Sequence, residues 1–393
     1  MSITDENTTV VIVGAGVAGL ALGNFLLRGG IDCVVLERHG REYVERRQRA
    51  GVVDSRAVRV FREWGLADRV VGGVPFEPVL NFRIDGETRP FEYMTDDHGD
   101  GRFCPQQVLV RNLVDVFVGD GGDLRFEAED VRLENVTGPR PRVRYRDNAG
   151  VTRTIACDFI AGCDGDRGVS RASIPEEELT RHSHEYGYAW LTVLADAPAN
   201  HQSMMAIHDR GFAGQFARGP QASRFYLQCP LDTSVEEWTD DRVWEEIEAR
   251  FGEPVAVKGR ISSKTLVPLR SVVHDPMSHG RLYLLGDAAH IVPPMSAKGM
   301  NLALHDADVF AAAVLKQVEE QDESLLAAYS TTCLKHVWNY QAFAAWFTDL
   351  MHDAGDASYH GHFRRHLARA EFDRLYSSAT ANHLFTEFLT GLN

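Results

Sequence analysis

The hydrophobic pattern of the first forty residues predicts two short buried strands with a helix between them. The apolar run Val10 to Val13 predicts the first strand, and a glycine-rich turn leads from it into a helix over about Val17 to Arg28. A pair of glycines ends that helix. The run Cys33 to Leu36 predicts the second strand, which closes with Glu37. This β-α-β unit predicts a parallel strand pair joined by a right-handed crossover.

After this unit the pattern is mainly that of strands, and from about Asn301 it is helical. Strands are expected in Val79–Tyr93, in three pieces of Leu124–Ile155, and at Tyr186–Leu194, Gln202–His208 and Arg224–Gln228, with one acidic helix near Asp240–Arg250. The order predicts an α/β fold, in which a Rossmann-like dinucleotide-binding domain carries an inserted mixed β-sheet domain and a C-terminal helical section. The expected division is 1–72, 100–180 and 270–320 for the first domain, 73–99 and 181–269 for the inserted sheet, and 321–393 for the helices.

Charge and composition narrow the classes of function. The 393 residues include 41 Lys and Arg against 56 Asp and Glu, which gives a net charge of −15 and argues against nucleic acid as a partner. The polar, acidic N-terminus does not have the pattern of a secretory signal, and no apolar run approaches the roughly 18 residues that a membrane span needs. Six dispersed cysteines without a C-x-x-C pair predict buried free thiols. We therefore expect a soluble cytoplasmic protein.

The histidines and aromatic residues of the C-terminal section predict structural roles. The histidines are not spaced as metal ligands, so no metal site is expected there. Aromatic residues recur at roughly helical spacing, which predicts packing in the core or between the subunits of a homodimer. The histidines are His352, His360, His362 and His366, and the aromatic residues are Trp338, Tyr340, Phe343, Trp346 and Phe347.

The strongest local motif is Gly14-Ala-Gly16-Val-Ala-Gly19, which lies between the first strand and the first helix. In this context the first glycine permits a tight turn, the second lets backbone N–H groups approach a pyrophosphate, and the third lets helix and strand pack closely. The helix N-terminus adds positive potential, and Glu37 is placed to accept hydrogen bonds from a ribose diol. The motif predicts dinucleotide binding and leaves both NAD and FAD open.

Two later segments carry a resemblance to a known family. Residues 157–171 read CDFIAGCDGDRGVSR and contain Asp164-Gly165, and residues 286–294 read GDAAHIVPP and begin with Gly286-Asp287. With the N-terminal glycines, these segments resemble the three motifs of the flavoprotein aromatic hydroxylases, the single-component class A FAD monooxygenases. The segments RAGVV at 49–53, PLRS at 268–271 and AKGMNLA at 297–303 are similar to those of its hydroxybenzoate-hydroxylating members.

The resemblance implies bound FAD, with NADPH or NADH as a transient reductant. A flavin C4a-hydroperoxide would then transfer oxygen from O₂ to an aromatic ring. The residues implied at the FAD are Gly14, Gly16, Gly19, Glu37, Arg49, Gln106, Asp164, Gly286, Asp287, Lys298, Gly299, Met300 and Asn301, with Pro294 and Asn301 beside the reacting ring. Those implied at the nicotinamide cofactor are Arg38, Arg47, Arg49, Arg167 and Arg270. Arg38, with His39, Arg41 and Tyr43, would receive a 2′-phosphate, and the alternative for this group is a solvated charged turn.

The resemblance also implies where the substrate binds. Arg218 stands at the family's carboxylate-binding position, and Arg224 and Tyr226 match as well. The polar groups that assist in the family are replaced. Phe216 stands for a hydroxyl-bearing residue beside the carboxylate, and Met205 and Leu389 stand for two tyrosines of a phenol proton relay.

The family's relay histidine falls near Phe76, so the relay has lost all its proton acceptors. A buried phenolate without a partner would be costly. We therefore expect an amino- or differently hydroxylated benzoate, or another proton acceptor such as His208 or Tyr226, for which a structural role is the alternative. The other functions left open are hydroxylation of 4-hydroxybenzoate with a rearranged relay, a flavin dehydrogenase or oxidase without oxygen insertion, and a catalytically idle flavin-binding protein.

Overall fold

A computed structural model describes most of the chain. The described residues are 5–47, 51–76, 79–84, 86–93, 99–199, 203–218, 220–352 and 359–391, with the backbone alone at 5, 359–362 and 365.

The described elements are named here in chain order. The strands are β1 (Asp5–Val13), β2 (Cys33–Leu36), β3 (Val74–Pro75), β4 (Val79–Ile84), β5 (Glu87–Glu92), β6 (Arg102–Phe103), β7 (Asp123–Arg125), β8 (Glu129–Glu134), β9 (Arg142–Arg146), β10 (Thr152–Gly162), β11 (Thr180–Ala195), β12 (Ser203–Ile207), β13 (Ala213–Ala217), β14 (Ser223–Pro230), β15 (Ile261–Asp275), β16 (Ser278–His279), β17 (Leu282–Leu284) and β18 (His290–Ile291). The helices are α1 (Val17–Arg28), α2 (Arg41–Arg46), α3 (Ser55–Glu63), α4 (Ala67–Val70), α5 (Gln106–Gly119), α6 (Val169–Ala172), α7 (Asp240–Phe251), α8 (Gly299–Glu320), α9 (Ser324–His352), α10 (Tyr359–Ser377) and α11 (Ala379–Thr390). Single 3₁₀ turns occur at Glu176–Glu178, Val235–Glu237, Gly286–Ala288 and Pro294–Ser296.

The first sheet has the order β16-β17-β10-β1-β2-β7, and β8 and β9 extend it beside β10. Its strands β17, β10, β1, β2 and β7 run parallel. The helix α1 crosses over from β1 to β2 and packs against α5 and α8. Because helices cover this sheet, Val10–Val13 and all of β2 are buried, which explains their continuous apolar runs. The carboxyl ends of β1 and β10 therefore meet at one edge, where the glycine-rich turn and Asp164 follow them.

The second sheet has the order β18-β15-β11-β14-β13-β12-β4-β5, and its strands are antiparallel except for the parallel pair of β4 and β12. Alternating residues face opposite sides. Trp190, Met205 and Tyr226 join the main core of the molecule, whereas Met204 and Phe225 pack under α7 in a second, smaller core. The face that carries Tyr226 therefore looks toward the rest of the molecule.

The helices α9, α10 and α11 close the structure. Phe343 and Phe347 of α9 pack against Phe385 of α11, and Phe347 also meets Phe82 of the second sheet. Among the five aromatic residues predicted to pack in the core or between subunits, Trp338 is 44% exposed. The expected fold class is therefore confirmed: a parallel sheet, a second mixed sheet and C-terminal helices.

Some of the predicted boundaries agree with the observed elements and others differ. Helix α1 and strand β2 have the predicted bounds, and β1 begins earlier than predicted, at Asp5. The expected boundary at residue 269 lies inside β15, which runs on to Asp275. All six cysteines are free and buried, as predicted. Within the described ranges, no helix combines the length and the apolar character that crossing a membrane requires.

Candidate active site

The glycine-rich turn between β1 and α1 is shaped by close backbone contacts. Gly14 has φ of +107°, and a Cβ atom there would lie 2.4 Å from the carbonyl oxygen of Cys163. A Cβ atom on Gly19 would lie 2.0 Å from the carbonyl oxygen of Gly14. Neither position can hold a side chain without moving backbone, so these two glycines fix the turn itself.

Gly16 differs from both, because it is exposed and no atom lies within 4 Å of the position its Cβ would take. It is the N-cap of the 12-residue helix α1, and no side chain caps that end. A helix start leaves N–H donors without intrahelical partners and carries positive potential. The turn therefore presents open space and backbone donors, which fits the pyrophosphate of a dinucleotide.

Glu37 fastens the end of β2 to this turn. Its carboxylate accepts hydrogen bonds from the backbone N–H groups of Ala15 and His39, both at 2.9 Å. The carboxylate is thus held in place at the edge of the sheet, where the ribose beside a pyrophosphate would lie.

Asp164 follows β10 at the same edge. Its Oδ2 accepts hydrogen bonds from the backbone N–H and the hydroxyl of Ser170, at 2.9 and 3.0 Å. Its Oδ1 is buried and has no hydrogen-bond partner among the described residues. Burial raises the pKa of Asp164 above its usual value. An unpaired buried oxygen at this point fits a cofactor hydroxyl as its partner.

A buried ion pair positions the segment that contains Asp287. Asp306 of α8 accepts hydrogen bonds from the backbone N–H of Gly286 at 2.9 Å and from Nε2 of His290 at 2.7 Å. Burial disfavours protonation of His290, but the Asp306 carboxylate outweighs it and raises the pKa of His290. The pair fixes the turn at Gly286, where φ is +61°, and leaves Asp287 half-buried beside it.

The segment from Pro294 to Asn301 is held by buried polar contacts. Lys298 is 1% exposed and donates hydrogen bonds to Asp54 at 2.7 Å and to the carbonyl oxygen of Leu389 at 2.9 Å. Burial lowers the pKa of Lys298. The amide of Asn301 donates to the carbonyl oxygens of residues 52 and 297 and accepts from the backbone N–H of Asp54. Asn301 therefore holds backbone together and has no free polar atom for a reactant.

Around these contacts, Pro294, Gly299 and Met300 are half-buried, and Gln106 begins α5 in a similar environment. Ala297, which ends the 3₁₀ turn before α8, adopts φ of +53°, a left-handed conformation that is uncommon for a residue with a Cβ atom. Strain of this kind occurs at functional sites.

The predicted substrate residues line one face of the second sheet. Met205, Gly214 and Tyr226 form a row across β12, β13 and β14, and Phe216 pairs with Arg224 in the next row. The rings of Phe216 and Tyr226 meet edge to face at 5.8 Å. The structure thus brings four of the five predicted substrate residues together into one wall with Gly214.

Arg218, the fifth, directly follows β13, and its backbone N–H donates to the carbonyl oxygen of Ala222 at 2.8 Å. Burial lowers the pKa of its guanidinium, an effect that nearby Tyr226 opposes and the charge of Arg224 reinforces. Its Nε is buried and has no hydrogen-bond partner among the described residues. A guanidinium with a buried, unpaired donor beside a tyrosine is suited to bind a carboxylate.

The structure does not bring His208 to this wall. It lies beyond the end of β12, where its Nδ1 accepts the backbone N–H of Arg210 at 3.1 Å, and Arg210 pairs with Glu246 of α7. The helix α7 covers the opposite face of the sheet from Tyr226. His208 is therefore a turn residue, and the proposed role as a proton acceptor in the pocket has no geometric basis.

The side chains at the three relay positions are apolar. Phe76 packs edge to face on Phe103 at 4.7 Å, Met205 is buried in the main core, and Leu389 lies on α11 with its carbonyl oxygen bonded to Lys298.

The arginines expected at a nicotinamide cofactor lie near the surface. Arg38, Arg47 and Arg167 are exposed, Arg270 is half-buried, and Arg49 lies outside the described residues. Nε of Arg38 donates to His39 at 3.0 Å, and the ring of His39 lies 4.0 Å from that of Tyr43. Arg41 is instead bound by Glu45 and Asp115, so its charge is already compensated.

Several residues that build the site were not among those predicted from the sequence. Asp54 caps α3 by accepting the N–H of Ala57, so its position before an amphipathic helix was a usable signal for a cap. Its partnership with Lys298, and that of His290 with Asp306, join segments far apart in sequence and leave no local signal. The left-handed Ala297 leaves none either.

Comparisons with known proteins agree with this geometry. A sequence model of the family described as "FAD binding domain" matches residues 7–344. The p-hydroxybenzoate hydroxylase of Acinetobacter baylyi is 34% identical over 396 residues, which cover 98% of this chain and 95% of that protein. A 3-(3-hydroxy-phenyl)propionate/3-hydroxycinnamic acid hydroxylase of Mycobacterium avium is 28% identical over 77% of this chain, and the matched part spans 54% of that protein.

Among solved structures, the p-nitrophenol 4-monooxygenase PnpA of Pseudomonas putida DLL-E4 superposes with a TM-score of 0.82 over 99% of this chain and 100% of that one. The two are 20% identical, so this likeness shows the fold alone. The family match and the near full-length hydroxylase relative show more. The chain belongs to the FAD binding domain family and, within it, to the FAD-dependent aromatic monooxygenases.

Proposed function

We propose that this protein hydroxylates an aromatic carboxylic acid related to amino- or hydroxybenzoate and consumes NAD(P)H and O₂. The observation that carries the proposal is Arg218, which lies at the end of this wall and whose buried Nε lacks a partner among the described residues. The resemblance to p-hydroxybenzoate hydroxylase over nearly the whole chain supports a benzoate-like substrate. We place the activity in the cytoplasm, where free thiols persist and NAD(P)H is supplied.

The residues of the wall have separate tasks in this proposal. Arg218 binds the carboxylate through two parallel N–H···O bonds, which fix the orientation of the ring as well as its position. The hydroxyl of Tyr226 supports the guanidinium from the side. Met205 and Phe216 exclude water from the ring, which strengthens the remaining electrostatic contacts. When bound at the glycine-rich turn, FAD supplies the redox chemistry that activates O₂.

The residues at the relay positions favour a substrate that stays neutral beside them. The relay positions Phe76, Met205 and Leu389 hold no group that accepts a proton. A phenol deprotonated against these side chains would carry an unpaired buried charge, which is costly. A ring amine donates electrons without losing a proton, so we favour an aminobenzoate over plain 4-hydroxybenzoate.

The nicotinamide cofactor is proposed to bind transiently on the exposed arginines. Arg38 and His39 form a hydrogen-bonded pair beside the ring of Tyr43, at the end of the strand that carries Glu37. A cation and a hydrogen-bond donor at that point favour the 2′-phosphate of NADPH.

The test is a panel of hydroxy- and aminobenzoates, measured for stimulated NADPH oxidation and for ¹⁸O in the product under ¹⁸O₂. We expect an aminobenzoate to give the highest kcat/KM and one labelled oxygen per product. Arg218→Ala should raise KM for that acid about tenfold to a hundredfold at unchanged FAD content, because a charge-assisted bond is lost. Turnover of 4-hydroxybenzoate alone would overturn the choice of ring, and an unlabelled product would indicate a dehydrogenase or oxidase.

A further inference from the structure

A group of charges surrounds Asp166, in the turn between β10 and α6. Its Oδ2 lies 2.5 Å from Nη2 of Arg270 on β15, and its Oδ1 lies 3.6 Å from Nη1 of Arg171. Arg167, the next residue, is exposed. The main-chain register places Glu185 of β11 opposite Arg270. Two arginines thus contact one aspartate at the junction of the two sheets, and a third follows it in the sequence.

The two paired arginines are held differently. Arg171 also donates to the carbonyl oxygens of Ala288 at 3.3 Å and of Asp166, so its guanidinium ties the Asp164 turn to the segment that holds Asp287. Arg270 comes from the second sheet, and its guanidinium pairs with the Asp166 carboxylate. Arg171 is therefore a structural tie, whereas Arg270 reaches the group from the other sheet.

The pair of Asp166 and Arg270 remains open to solvent. The side chain of Asp166 is 27% exposed and that of Arg270 is 33% exposed, so an anion in solution can reach both. Carboxylate and phosphate oxygens use the same forked geometry of a guanidinium. The Asp166 carboxylate therefore occupies the position that a phosphate oxygen would take on Arg270.

We propose that Asp166 is an internal counter-ion that competes with the diphosphate of the nicotinamide cofactor for Arg270. The inference rests on the proposed function, because the competing anion is the diphosphate of the NAD(P)H that the proposed reaction consumes. The position of the group supports this choice. It follows Asp164 and contacts Ala288, so it adjoins both segments that flank the dinucleotide site.

Competition predicts the direction in which the affinity for the cofactor changes. A cofactor phosphate that binds Arg270 must first displace the Asp166 carboxylate and also approach its negative charge. In Asp166→Asn the charge is gone while the size of the side chain is kept, so the cofactor no longer has to displace an anion. A half-exposed ion pair of this kind changes affinity by about two- to fivefold.

The experiment measures NADP⁺ binding to the FAD-loaded protein by calorimetry, for the wild type, Asp166→Asn and Glu177→Gln. Glu177 is an exposed acid on the 3₁₀ turn at Glu176–Glu178, so its variant makes the same change in net charge away from Arg270. We expect Kd for NADP⁺ to fall about two- to fivefold in Asp166→Asn and to stay unchanged in Glu177→Gln. The gain should shrink as salt concentration rises, because salt screens exposed charges.

A Kd that rises or stays the same in Asp166→Asn would mean that the aspartate only tethers the two sheets, and the inference would be overturned. An equal fall in both acid variants would overturn it too, since net charge alone would then explain the effect. NADP⁺ binding is measured without turnover. If no acid of the panel stimulates NADPH oxidation, the proposed function is wrong, but the effect of Asp166→Asn on NADP⁺ binding can still be measured.

Discussion

At the scale of single residues, Gly14 and Gly16 are glycines for different reasons. Gly14 has no room for a Cβ atom, because that atom would lie 2.4 Å from the carbonyl oxygen of Cys163. Its φ of +107° is also unfavourable for residues with a side chain. The second has open space on the side where a pyrophosphate would lie. We expect Gly14→Ala to destabilise the protein without FAD by roughly 1–3 kcal/mol. Gly16→Ala should leave that stability unchanged and raise Kd for FAD.

The two variants serve as controls for each other. Thermal unfolding of the protein stripped of FAD measures the first effect, and fluorescence titration with FAD measures the second. If both variants lose equal stability in the absence of FAD, the fold itself also requires Gly16. An unchanged Kd for FAD in Gly16→Ala would place the pyrophosphate elsewhere.

At the scale of elements, the C-terminal end of α9 is anchored to the substrate wall. Nε1 of Trp190 donates to Nε2 of His352 at 2.6 Å, and Nδ1 of His352 lies 2.8 Å from the carbonyl oxygen of Thr348, so the imidazole accepts at one nitrogen and donates at the other. The indole of Trp190 in turn lies 4.7 Å from the ring of Tyr226. Losing the bond by Trp190→Phe or His352→Leu should cost about 1–3 kcal/mol of unfolding free energy, because a buried polar atom loses its partner.

A double-mutant cycle tests whether the two residues act as one unit. The double variant should lose less stability than the sum of the single losses, and both single variants should raise KM for the aromatic acid because the position of Tyr226 depends on the anchor. Strictly additive losses with KM unchanged would show that α9 and the wall are held independently.

The same elements show what the sequence can predict. The bounds of α1 and β2 follow from local signals, because glycines end the helix and a continuous apolar run marks the buried strand. The region from residue 123 to 162 holds four strands, β7 to β10, where three were expected, because short strands with exposed faces have weak patterns. The placement of His208 on the side of α7 depends on the conformation of the turn after β12, which the local sequence pattern does not determine. The resemblance predicted Arg218 and Tyr226 as site residues, whereas the pairs of Asp166 with Arg270 and of Asp306 with His290 join residues more than 15 positions apart, which no local pattern reveals.

At the scale of the whole molecule, the net charge of −15 coexists with local cationic groups at the junction of the sheets. The interior adds a second electrostatic property, because it holds histidines that cannot readily take up a proton. Burial lowers the pKa of His305 and of His352 to about 3, and that of His336 to about 4. His290 has the opposite shift, because Asp306 raises its pKa.

The three lowered values predict loss of stability in mild acid. Their folded pKa lies below the unfolded value of about 6.5, so the unfolded chain binds protons first as pH falls, and each group costs about 1.4 kcal/mol at one pH unit below 6.5. His290 has the opposite sign, but its contribution builds up as pH falls from its raised folded pKa to 6.5 and is constant below that, so it does not offset the loss in acid. The midpoint of thermal unfolding should therefore fall between pH 7 and pH 5 at constant ionic strength. His352→Gln should make that fall shallower, since an amide does not titrate, whereas His383→Gln, which changes a side chain that is 64% exposed, should leave it as in the wild type. An equal fall in the wild type and His352→Gln would mean that other groups cause the acid sensitivity.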